Sequence, residues 1–87
     1  MSLRREREIE YLSAVKALEA FSVIAKAEHS DTLADFFRSR DLSVTVVDNV
    51  IGGDEPQNDI QVQKTIEFTD FNQLLNDWKV DYAADEG

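Results

Sequence analysis

The sequence contains no cysteine, so neither a disulfide framework nor a thiolate metal site is open to it. A chain with no use for an oxidising environment is expected in the cytoplasm. Proline occurs once, at Pro56, and no glycine precedes Gly52, so nothing in the first half interrupts a regular element. Long apolar runs are missing too. The basic "RRER" near the start is followed by "EIEY" where a secretory signal would need an apolar core, and no stretch reads as a membrane span. At 87 residues the chain is expected to be one small domain, 1–87, with one modest core. Residues 1–3 and 86–87 resemble vector-derived ends and carry no weight.

Bases are scarce in one half only. Residues 1–40 hold seven bases and seven acids, whereas 41–87 hold eleven acids against Lys64 and Lys79, so the whole net charge of −9 comes from the second half. Such a field repels nucleic acid and anionic membranes and favours basic partners.

The periodicity predicts an α+β fold in the order ααββα: two N-terminal helices, an antiparallel β-hairpin and a C-terminal helix, with the helices packed on one face of the hairpin. Residues 4–28 are rich in helix formers, and Tyr11, Ala14, Val15, Leu18, Phe21 and Ala25 recur at spacings of three and four. Ser30, Asp31 and Thr32 are N-cap types, predicting a short second helix over 32–40. Alternation of Leu42, Val44 and Val46, and of Ile60, Val62, Ile66 and Phe68, predicts two strands. Between them 52–59, "GGDEPQND", is expected to be a mobile hairpin loop. Thr69 or Asp70 would cap a last helix carrying Phe71, Leu74, Leu75 and Trp78 on one stripe.

No constellation of residues reads as catalytic. His29 is the only histidine, and a place near a helix C-terminus, where the macrodipole favours it, is the simpler account. The acidic stretch 48–59 fails the calcium-loop spacing in both frames, since the third ligand positions fall on Val50 and Pro56. No enzyme activity, cofactor or metal is expected. What is left is the lopsided anionic surface. The candidate partner-binding residues are Asp54, Glu55, Asp59, Asp77, Trp78, Asp81, Tyr82 and Asp85, with Trp78 and Tyr82 as anchors if exposed.

These observations favour a small acidic protein that works by protein–protein contact with a basic surface. One alternative is a structural or self-assembling subunit of a larger complex. A second is a DNA-mimic inhibitor of a nucleic-acid-binding protein, and a metal- or metabolite-linked activity is a further class. A homodimer is expected on two grounds. A continuous 25-residue helix would reach about 37 Å, longer than so small a globule is wide, and a hairpin leaves two open edges.

Overall fold

A computed structural model describes residues 9–48 and 56–86, and among these the fold is α+β, with a four-stranded antiparallel sheet and the two helices named below. The elements are β1 (Val15–Lys16), β2 (Ala20–Lys26), α1 (Ala27–Arg38), β3 (Val44–Val47), β4 (Gln57–Gln63) and α2 (Phe68–Glu86). The sheet order is β1-β2-β4-β3. Strands β2 and β3 both run antiparallel to β4 and hence parallel to each other, with the last strand in sequence inserted between them. Around α1 this is a split β-α-β unit.

The expected ααββα order is overturned. The helix expected over 4–28 does not run through its length: residues 4–8 lie outside the described residues, 9–10 are helical, and Val15–Lys16 and Ala20–Lys26 are paired strands. The segment "AFSVIAK" carries two periods at once, and the two-residue one wins. Phe21, Val23 and Ala25 are buried while Ser22, Ile24 and Lys26 are not. Pairing explains the choice, because all seven β2 residues have register partners on β4, from Ala20 opposite Gln63 to Lys26 opposite Gln57. A fully paired strand next to the core outweighs a helix propensity worth a few tenths of a kcal/mol per residue. Tyr11, Val15 and Leu18, placed on the helical stripe by their spacing, are exposed. With the rod goes the argument for a dimer from its length.

Helix α1 begins at Ala27 rather than Thr32, which puts His29 in its first turn and not near a C-terminus. None of the three N-cap types caps it. Ser30 and Thr32 donate backward instead, to the Ala27 and His29 carbonyls at 3.0 and 2.9 Å, while the Ala27 N–H donates to the Pro56 carbonyl at 3.1 Å. The end of α1 is closed by a Schellman motif. Leu42 N–H reaches the Phe37 carbonyl at 3.3 Å and Asp41 N–H the Arg38 carbonyl at 3.1 Å, with Asp41 in the left-handed region at φ 63°.

The hairpin of β3 and β4 is as expected in its pairing, with Val44 opposite Val62 and Val46 opposite Ile60. Its second strand is shifted, however. Residues 57–59, expected in the mobile loop, belong to β4, and 64–67 turn the chain into α2 instead of extending the strand. Residues 52–55 of that loop lie outside the described residues. Helix α2 starts at Phe68, just before the expected caps, and its first turn holds Asp70, where the macrodipole favours an acid.

Both helices cover the sheet face that carries Phe21, Val23, Ala25, Ile60 and Val62. Phe71 joins the layers, with its ring 5.0 Å from Phe21 on β2 and 4.9 Å from Phe37 on α1. Phe37, Phe71, Leu33, Ile60 and Leu75 are almost wholly buried, and each contributes about 1.5–3 kcal/mol by leaving water. The other sheet face is wetter, with Ser22, Asp59, Gln61 and Thr45 in adjoining rows. Among the described residues, no helix is long and apolar enough to cross a membrane.

Candidate partner-binding groove

Helices α1 and α2 run antiparallel. Phe37, late in α1, packs at a tilt against Phe71, early in α2, whereas His29 in the first turn of α1 meets Tyr82 near the end of α2, Nδ1 to hydroxyl at 2.7 Å. Between these two contacts the helices leave an open cleft of about 480 Å³ lined by Thr32, Asp35, Phe36, Trp78, Asp81 and Tyr82. Each helix contributes the same spacing. Thr32, Asp35 and Phe36 stand at i, i+3 and i+4 on α1, and Trp78, Asp81 and Tyr82 repeat that spacing on α2, so each triplet shares one face.

The aromatic side of the cleft is fixed in place. Trp78 and Tyr82 are stacked, with ring centroids 4.6 Å apart at 15°. The edge of His29 meets Tyr82 at 5.3 Å and 82°, and its hydrogen bond holds the tyrosine hydroxyl. Behind His29 a buried polar chain ties the helix to the sheet: Asn58 Nδ2 donates to Ser30 Oγ at 2.8 Å, and that hydroxyl donates to the Ala27 carbonyl. Buried amide and hydroxyl groups so satisfied cost little and fix α1 on β4. His29 Nε2 lies 3.6 Å from Glu28 Oε1 at the surface.

Asp35 and Asp81 are exposed carboxylates, one on each wall. Asp35 has Arg38 Nη1 at 3.8 Å, and the two bases of the acidic half reach neither carboxylate. Lys64 donates to the Leu18 carbonyl at 3.0 Å, and Lys79 donates to the Leu12 carbonyl. Both ammonium groups therefore fasten the N-terminal segment, leaving carboxylates in excess on the helical layer. Burial pushes the Lys79 ammonium below the ordinary lysine range.

The expected site residues are not brought together as one surface. Asp81 and Tyr82 line the cleft, and Trp78 does so as a buried wall with 4% exposure rather than as a protruding anchor. Asp77 lies on α2 outside the lining and accepts from Gln73 Nε2 at 3.0 Å. Asp59 stands on the opposite sheet face, where it accepts from the Ser22 hydroxyl and from Gln61 Nε2. Asp54 and Glu55 lie outside the described residues, and Asp85 belongs to α2 by its backbone. The contribution of Thr32, Asp35 and Phe36 was missed. Their signal was the Thr–Asp–Phe spacing on α1, which matches the Trp–Asp–Tyr spacing on α2.

Among the described residues no group of three or more His, Asp or Glu side chains could hold a metal ion. No family model matches the chain, and no curated protein or solved structure matches it either.

Proposed function

We propose that this protein is a non-catalytic binding module that holds a basic segment of a partner protein in the groove between α1 and α2. One observation carries the reading: the groove has an aromatic wall, Phe36, Trp78 and Tyr82, and a carboxylate on each side, Asp35 and Asp81. An aromatic surface supplies desolvated contact, and the carboxylates supply steering and selection against anionic partners. The net charge of −9 extends that selection over the molecule. An inhibitor that mimics DNA is the special case in which the partner's basic segment is itself a nucleic-acid site. The cysteine-free composition supports action in the reducing cytoplasm.

Titration with a hexalysine peptide tests this reading. The expected result is amide shift changes confined to residues around the groove, with affinity falling about tenfold or more between 50 and 500 mM salt as the charges are screened. Shifts spread evenly over the surface, or unchanged by Asp35→Lys with Asp81→Lys, would remove it.

A second reading, self-association, has its own support. The β1–β2 hairpin leaves Val15 59% and Leu18 92% exposed, with Tyr11 79% exposed just before it, and β3 is an outer strand with one open edge. Equilibrium sedimentation would then give a dimer mass insensitive to salt and reduced to a monomer by Leu18→Asp. A monomer at tens of micromolar ends this reading.

A further inference from the structure

Resting on the groove reading, we infer that the side chain selected there is arginine, seated with its guanidinium plane on the aromatic wall and its N–H fork on Asp81. The chain itself shows the chemistry at one end of the groove. The Arg40 guanidinium lies 4.9 Å over the Phe36 ring, and Arg38 Nη1 stands 3.8 Å from Asp35 Oδ1. Phe36 and Asp35 are therefore already met by arginines of the same chain, one by stacking and one by charge. At the other end the same pair of group types recurs as Tyr82 and Asp81, adjacent on α2. Among the described residues Asp81 makes no hydrogen bond or ion pair.

Geometry favours a planar cation over a compact one. A guanidinium offers a flat, weakly hydrated face to a ring and a rigid N–H fork to a carboxylate, while an ammonium offers a hydrated point charge. Tyr82 is held by its stack on Trp78 and its bond to His29, so little ordering cost attends binding. The charge is complementary at the Asp81 end, since no base is among the lining residues and the two arginines beside the groove stand at Asp35 and Phe36. The occupant is thus an arginine-bearing segment of a partner protein.

Hexaarginine and hexalysine peptides of equal charge provide the test, followed by emission from Trp78, the only tryptophan, and by amide shifts. Hexaarginine is expected to bind about fivefold or more tightly than hexalysine at equal salt, and Asp81→Asn to remove most of that preference. Phe36→Leu should narrow it while keeping the wall apolar. Asp70→Asn, at the far end of α2, should leave it intact. Equal affinities for the two peptides, or equal effects of Asp81→Asn and Asp70→Asn, overturn the arginine assignment and leave a general cation groove standing. Groove signals unmoved by either peptide, or moving only with protein concentration as a second copy fills the cleft, overturn both.

Discussion

Lys79 shows how one side chain of an acidic protein is drawn into structural use. It reaches from α2 to the Leu12 carbonyl, and partial burial lowers its pKa. The unfolded chain then keeps this proton to higher pH than the folded one. Between the lowered folded value and the ordinary 10.5, the unfolded state binds more protons, so this group makes stability rise with pH. Tyr11 works the other way. A hydrogen bond from the Tyr11 hydroxyl to the Glu10 carboxylate, then that carboxylate's charge and slight desolvation raise the phenol above 10.0, and the folded state holds that proton longer. On a Tyr11→Phe background, melting curves from about pH 8 to 11 should show the parent gaining stability relative to Lys79→Met as pH rises. Parallel curves would mean that the lysine is as well hydrated in the fold as out of it.

At the scale of elements, α2 ends against its own dipole. Its last turn holds no base, and Asp81 lies one turn earlier. Ala84 is exposed and three residues beyond Asp81. Ala84→Lys should therefore raise stability by about 0.3–1 kcal/mol through the helix terminus and the i, i+3 pair, measured by urea denaturation. The same change should weaken hexaarginine binding, because it places a cation beside the groove. Tighter binding would contradict the charge argument. Of the elements, α2, the β3–β4 pairing and a helix containing 32–38 were legible in the sequence, since their apolar periods are unambiguous. Ala20–Lys26 was not. Ala, Glu and Lys around it speak for helix, and the alternation of Phe21, Val23 and Ala25 gains force only beside β4, whose Asn58, Ile60 and Val62 lie on the same dry face. The groove was half legible, as Trp78, Asp81 and Tyr82, because its other wall needs two helices to be known as neighbours.

For the whole molecule, stability is concentrated in very few side chains. Phe71 touches both the sheet and α1, so Phe71→Ala should cost about 3–5 kcal/mol, a large part of the 5–15 kcal/mol usual for a domain. Thermal unfolding should then begin near room temperature, and a loss below about 1 kcal/mol would show that the layers are joined elsewhere. The seat of β4 between β2 and β3 bears on how such a chain is made. During synthesis the two flanking strands leave the ribosome first and have no mate for most of their length until residues 57–63 follow. Assembly of the sheet is thus deferred until β4 has emerged, and until then the nascent polypeptide depends on its charge, or on chaperones, to stay out of aggregates.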